Sequence, residues 1–121
     1  MERYKRQFIE SKLPQEVQNL IDKYKKLNIR LNISSFYENN WIVLGIIIPP
    51  ELRRQKYGSI IFSELFKLAD KYHVIINLES TPLSNVSNES LKSFYNKIGF
   101  LSDKEKNKLH GSSRYFIRYP K

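Results

Sequence analysis

The stretch WIVLGIIIPPELRRQKYGSIIFS, residues 41–63, decides how the rest of the chain is interpreted. Its first eight residues are apolar or glycine, and a Pro-Pro break, a basic turn and a helix-like segment follow. A turn that joins a buried strand to a helix brings free backbone N–H groups together at the positive end of the helix dipole. The order of strand, basic turn and helix therefore predicts an anion site built from backbone amides.

Strand and helix patterns continue on both sides of this stretch. Residues 58–72 carry a broad apolar face typical of a helix packed on a sheet, and HVIINLE, residues 73–79, is a second buried-looking strand. Two such strands joined by a helix favour a right-handed βαβ unit with parallel strands. The uninterrupted apolar run 41–48 predicts a central strand covered on both faces. Within it, Gly45 indicates a bulge, a close backbone approach or a tight packing position.

The remaining elements are shorter. An amphipathic helix is expected over residues 14–27, and residues 29–34 alternate like a half-buried strand that a hairpin at Glu38–Asn40 joins to Trp41. Later elements are a short helix capped by Ser87 or Asn88, a strand beginning at Phe100, a charged loop over 102–108 and a last strand over 113–119. These patterns predict one α/β domain, residues 1–121, with a mixed sheet of about five strands flanked by helices.

Composition limits the partners. The chain has 121 residues, a net charge of +9 and no cysteine, so disulfides and thiolate metal sites are excluded, and its two histidines make a poor metal set. Residues 1–30 carry eight Lys or Arg against four Asp or Glu, and residues 101–121 carry six against two. These basic ends indicate either solvated surface or a patch that recruits an anionic partner. No apolar run is long enough to span a membrane, and no signal peptide is visible, so a cytoplasmic protein without membrane contact is expected.

The basic turn resembles the signature of the GCN5-related N-acetyltransferase (GNAT) family, Arg/Gln-x-x-Gly-x-Gly/Ala between a central strand and a helix. RRQKYGS, residues 53–59, matches this pattern at Arg53 and Gly58, and has Lys56 where the family usually has glycine. If that position needs a left-handed backbone, Lys56 carries a strain that glycine avoids. Otherwise its ammonium group adds a positive charge near the phosphates that the predicted anion site would bind.

A second segment strengthens the resemblance. NESLKSFYNKIGF, residues 88–100, is similar to the family's Asn-x-x-Ala-x-x-Phe-Tyr-x-Lys-x-Gly-Phe, with Leu91 in place of alanine. The two motifs stand in the family's order, with one strand between them. The resemblance covers roughly residues 29–119, and the part before it looks abbreviated relative to the family.

The resemblance implies acetyl-CoA as co-substrate, with no metal. The cofactor would lie where the strand 41–48 separates from the strand 73–79, its pyrophosphate on the amides of the turn and its pantetheine arm along the backbone of Ile46 and Ile48. Asn88 would reach the pantetheine or the thioester, although a helix cap explains it almost as well. The implied cofactor-binding residues are Ile46, Ile48, Arg53, Arg54, Gln55, Lys56, Tyr57, Gly58, Ser59 and Asn88.

Acetyl transfer to an amine needs an acid for the leaving thiolate and a neutral amine. By resemblance, Tyr95 is the candidate acid; helical spacing makes a core tyrosine its alternative. Glu79, at the end of the strand 73–79, is the candidate base, acting through water, and a surface salt bridge is its alternative. Glu51 and His73 are weaker candidates for the base. Positioning alone, with bulk water taking the proton, is also reasonable.

The sequence leaves three functions open. The first is direct acetyl transfer to a primary amine, with a protein amine suggested by the open groove that an abbreviated N-terminal region would leave. The second is a basic nucleic-acid-binding module, and the third is a degenerate GNAT fold that binds CoA without catalysis. The sequence is compatible with a monomer or a homodimer.

Overall fold

The computed structural model describes residues 13–35, 39–53, 55–80 and 88–121, and nothing of the Asn88 side chain. Expectations for residues 1–12, Glu38, Arg54, Ser87 and the Asn88 side chain therefore lie outside the described residues. Within them, none of the helices is long and apolar enough to cross a membrane. The elements are α1 (Gln15–Lys25), β1 (Arg30–Ser35), β2 (Asn40–Ile47), a 3₁₀ turn (Pro50–Leu52), α2 (Tyr57–Tyr72), β3 (Ile75–Glu79), α3 (Asn88–Ile98), β4 (Leu101–Ser102), α4 (Lys104–His110) and β5 (Tyr115–Arg118).

The strands form one mixed sheet in the order β1-β2-β3-β5-β4. β2 and β3 are parallel neighbours joined through α2, while the other neighbouring pairs are antiparallel. The predicted mixed sheet of about five strands and the predicted parallel pair are therefore confirmed. Since parallel neighbours need a crossover, the apolar face of α2 is held against the sheet.

The open end of the β2–β3 pair positions the candidate site. Pairing between these strands runs from Asn40–Ile75 to Val43–Leu78, whereas β2 itself continues to Ile47. Where the pairing stops, the register against β1 shifts by one residue, and Leu44 is the extra residue. A bulge of this kind bends a strand and increases its twist. The sequence indicated a bulge at Gly45 as one possibility. The bulge lies at the neighbouring Leu44, at the point where β2 separates from β3.

Alternate residues of every long strand are buried, so the core lies against one face of the sheet. The prediction that the strand 41–48 is covered on both faces is wrong, because Leu44 is 46% and Ile47 is 61% exposed. β2 is paired with a strand on each edge, but one of its two faces is exposed at Leu44 and Ile47, beyond the point where it separates from β3. The largest fully buried side chains are Trp41, Phe62, Phe100 and Phe116.

In the described part of the chain, each of the four helices is followed, within three residues of its last residue, by a residue with positive φ: Asn28, His73, Gly99 and Gly111. At each end, the next N–H bonds a carbonyl five residues back, as in Val74 N to Ala69 O at 2.8 Å. These bonds close the last turns and release the chain sharply into the following element.

The prediction of a charged loop over residues 102–108 is wrong, because these residues include most of the helix α4. Asp103 caps this helix, and its Oδ1 accepts from the Lys106 N–H at 3.2 Å. The segment KEKNKLH has no apolar stripe, and the cap and the terminating Gly111 define the helix instead.

Candidate functional site

The site begins at the diverging half of β2. Ile46 lies opposite Leu31 of β1. Within the described residues, the pairing of β2 with β3 ends at Val43, so Ile46 has no partner in β3. The side chains of Ile46 and Ile48 are partly buried and pack against the core. Their side chains therefore belong to the core, and a role for their backbone in binding stays a prediction.

A tight turn connects this strand to α2. Arg53 Nε donates to the Ile48 carbonyl at 3.1 Å, and Gln55 Nε2 donates to the Glu51 carbonyl at 3.2 Å. The Leu52 N–H bonds Pro49 O at 2.9 Å inside the 3₁₀ turn. Arg53 thus fixes the end of the strand to the turn through the Ile48 carbonyl.

The turn ends on a left-handed residue. Lys56 has φ 63° and ψ 19° and precedes the first residue of α2. The position at which the family usually has glycine therefore has a left-handed backbone in this chain. Lysine adopts that backbone conformation at a steric cost. The exposed Lys56 side chain makes no capping hydrogen bond.

The first turn of α2 offers its amides to an anion. The first backbone bond into the helix runs from the Ile60 N–H to the Lys56 carbonyl at 3.1 Å. The N–H groups of Tyr57, Gly58 and Ser59 therefore have no acceptor within the helix. Such amides at the positive end of a 16-residue helix form a favourable position for phosphate oxygens.

Gly58 brings α2 and α3 together. A Cβ at Gly58 would lie 3.3 Å from Phe94 Cζ and 3.9 Å from Ile48 Cδ1. Ser59, one residue later, lines a cavity of about 300 Å³ together with Ser63, Lys67 and Asp70. The small residue at position 58 therefore lets the second motif pack directly on the first turn of α2.

Tyr95 joins the two motifs to the end of β3. Its ring packs against Phe62, Phe100 and Phe116 with centroid distances of 6.2, 6.0 and 5.3 Å, and the residue is 7% exposed. Burial raises the pKa of the Tyr95 phenol, and a hydrogen bond with the side chain of Ser80 acts in the opposite direction. The phenol is therefore a protonated group throughout the neutral range, at the strand end where β2 and β3 diverge.

Glu79 lies on the same strand end but is engaged in an ion pair. Its Oε1 is 3.3 Å from Arg114 Nε, and the two side chains are 43% and 49% exposed. In the sheet, Glu79 lies opposite Tyr115 of β5. The salt bridge considered as the alternative for Glu79 is thus present, and an exposed pair of this kind contributes little to stability.

The structure brings most of the predicted residues together but separates one. Arg53 and Lys56 lie in the turn and Gly58 in the first turn of α2, while Tyr95 contacts the neighbouring strand end through Ser80. His73 follows the last residue of α2, about 24 Å from the turn at 1.5 Å per residue. Glu51 is exposed in the 3₁₀ turn.

Sequence reasoning missed Ser80 and Leu44. Ser80 is a buried polar residue immediately after a buried strand, and that position was the available signal. Its N–H also donates to Arg114 O at 2.7 Å, which fixes the strand end. For Leu44, the neighbouring glycine was the signal, and the bulged residue is the one before it.

A parallel pair that opens at a bulge and continues through a basic turn into a helix defines a fold of the GNAT type, with a five-stranded mixed sheet. The crystal structure of Ard1 from Thermoplasma volcanium, an N-acetyltransferase catalytic subunit with this fold, is similar to it, with a TM-score of 0.54 and 21% sequence identity. The similarity covers 77% of this chain and 62% of Ard1, so this chain spans less than two thirds of that protein. No family model matches the sequence, and neither does any curated protein.

Proposed function

We propose that this chain is one acyl-CoA N-acyltransferase-like domain that transfers the acetyl group of acetyl-CoA directly to a primary amine, with a protein amine as the favoured acceptor. One observation carries the proposal: β2 separates from β3 after Val43 and leads through the basic turn to the free amides of α2. The unpaired edge suits an extended pantetheine arm, and the amides suit the pyrophosphate. One cofactor that carries both parts in this order would fit the proposal.

The residues proposed for the cofactor act mainly through their backbone. The N–H groups of Ile46 and Ile48 would bond the pantetheine amides, and those of Tyr57, Gly58 and Ser59 would bond the pyrophosphate. Lys56 would add charge, whereas Arg53 acts first by holding the turn through the Ile48 carbonyl. Arg54, Gln55 and Asn88 complete the proposed set.

The reaction forms a C–N bond and breaks the thioester C–S bond. A neutral amine attacks the thioester carbonyl, and the departing thiolate takes a proton from the Tyr95 phenol, which returns to its protonated form from water. The proton lost by the nitrogen goes to water, directly or through Glu79. Because burial raises the pKa of Tyr95, the phenol carries its proton at neutral pH, as a proton donor must.

Thermal unfolding with and without acetyl-CoA tests binding. A ligand at 100 times its Kd stabilises by about 2.7 kcal/mol, which corresponds to a rise in Tm of about 10 °C for a domain of this size. Free thiol released from acetyl-CoA, measured with an amine acceptor library, then tests transfer. No shift at millimolar acetyl-CoA would contradict the proposal, and a shift without thiol release would favour a fold that binds CoA without catalysis.

A further inference from the structure

The outer edge of β1 has no strand beside it in the described part of the chain. β1 is the first strand of the sheet, and its register is entirely with β2. The central residues of this edge, from Leu31 to Ser34, bond no described residue outside that pair. An exposed edge presents a row of N–H and C=O groups that can pair with another extended chain.

A groove adjoins this edge. It has a volume of about 590 Å³, and α1, β1 and β2 all contribute to its lining. Its apolar wall consists of Ile21, Ile29, Leu31, Leu44 and Ile47, of which the last two are among the most exposed apolar side chains. A Cβ built on Gly45 would meet nothing within 4 Å, so the space above this residue is open. We call this space the β1 groove.

The charge of the β1 groove is uncompensated. Lys25 and Arg30 line it, and none of its lining residues is acidic. Neither cation forms an ion pair with any described residue, whereas Lys23, Lys71 and Arg118 each have a carboxylate partner. The groove therefore attracts an anionic occupant and disfavours a basic one.

We infer that the edge of β1 and the β1 groove bind an extended, acidic segment of another protein. The segment adds a strand to the sheet, its apolar side chains enter the groove, and its acidic side chains face Lys25 and Arg30. Strand addition provides affinity through the backbone, and the groove provides selection through alternate side chains. This binding goes beyond acetyl transfer and does not depend on it.

A fluorescein-labelled peptide in which Glu alternates with Val and Leu, blocked at both ends so that it has no amine, tests the site by fluorescence polarisation with the full chain. We expect saturable binding that acetyl-CoA does not displace. The same peptide with Lys in place of Glu, or with alternate backbone amides N-methylated, is expected not to bind. Slowed hydrogen exchange at the β1 amides that face away from β2, on adding the peptide, would support strand addition.

Two variants and one control locate the binding. Arg30→Glu reverses a groove charge and is expected to weaken binding about tenfold. Gly45→Leu fills the open space, and is expected to do the same without backbone strain because Gly45 does not have a positive φ. Lys104→Glu makes the same change of net charge on the exposed surface of α4 and is expected to alter binding less than about twofold.

Several outcomes would overturn the inference. Equal weakening by Arg30→Glu and Lys104→Glu would show attraction by net charge alone. Undiminished binding of the N-methylated peptide would exclude strand addition. Displacement of the peptide by an oligonucleotide would assign the surface to nucleic acid, and loss of binding on self-association of the protein would assign it to a second copy of the chain.

Discussion

Lys56 is a non-glycine residue in the left-handed region, immediately before α2. We expect Lys56→Gly to raise the free energy of unfolding by about 0.5 to 1 kcal/mol, because relief of the left-handed strain exceeds the added entropy of the unfolded chain. Lys56→Ala removes the same charge but keeps a Cβ, so it should show no such gain. Thermal and urea unfolding of the two variants checks this, and equal stability would show that the lysine conformation carries no strain.

The same pair of variants separates charge from backbone in ligand binding. Both remove the ammonium group beside the proposed pyrophosphate position. If charge is what Lys56 contributes, both should weaken acetyl-CoA binding to the same extent. Unequal weakening would assign the contribution to the conformation of the turn.

Tyr95 and Ser80 form a buried polar pair whose members can be separated by substitution. Tyr95→Phe should lower kcat about 100-fold or more, as expected for loss of a general acid, with little change in acetyl-CoA affinity. Ser80→Ala breaks the same hydrogen bond but keeps the phenol, so its kcat should fall by less than about tenfold. Equal losses in the two variants would indicate that Tyr95 acts through this hydrogen bond and not as the proton donor.

The pH dependence has a definite direction. Because burial raises the pKa of Tyr95 above the ordinary 10.0 of a phenol, the acid form persists up to that pH. A fall of kcat caused by its ionisation is therefore expected only above pH 10. An alkaline fall near pH 8 that disappears in Tyr95→Phe would contradict the raised pKa.

At the scale of elements, β5 is tied to α2 by a charge pair. Arg118, 6% exposed, donates through both Nη atoms to the two carboxylate oxygens of Asp70 at 2.9 and 3.1 Å. Its guanidinium lies 4.2 Å from the centre of the Phe66 ring, and the Lys121 N–H donates to Asp70 at 3.0 Å. One carboxylate thus joins the last strand to the long helix.

We expect Asp70→Asn to lower the free energy of unfolding by about 2 to 3 kcal/mol, since it leaves a buried guanidinium without its counter-charge. Asp22→Asn, an exposed aspartate on α1, should change stability by less than about 0.5 kcal/mol. The hydrogen bond from Arg118 lowers the pKa of Asp70 below 3.8, so its contribution is present above that pH and is lost as the pH falls through the native value. The difference between wild type and Asp70→Asn should shrink accordingly in acid unfolding.

How far the elements could be predicted depended on their pattern. α1, α2 and β1 carry apolar periodicity, and the sequence alone predicted them to within a few residues. α4 has no such period, and its ends are set by a single aspartate and a glycine, so it was taken for a loop. The salt bridge of Glu79 joins residues 35 positions apart, and the Ser80–Tyr95 contact depends on how α3 packs, which no local pattern contains.

At the scale of the whole molecule, the net charge of +9 favours anions in general. We expect oligonucleotides to bind weakly and without sequence preference, with affinity that falls steeply as salt rises from 50 to about 200 mM. Filter binding or polarisation across that range checks this. Tight binding that persists at high salt would instead favour the nucleic-acid-binding module over the transferase.

Trp41, the single tryptophan of the sequence, is 2% exposed, and its ring centre lies 6.3 Å from that of Tyr72. It lies at the closed end of the β2–β3 pair, opposite Ile76, about 16 Å along the strand from Ile46. Its fluorescence should therefore shift to the red when the protein unfolds and stay constant when acetyl-CoA enters the open end. The molecule thus carries its own optical reporter of folding, one that remains silent to the cofactor and allows stability to be measured in its presence.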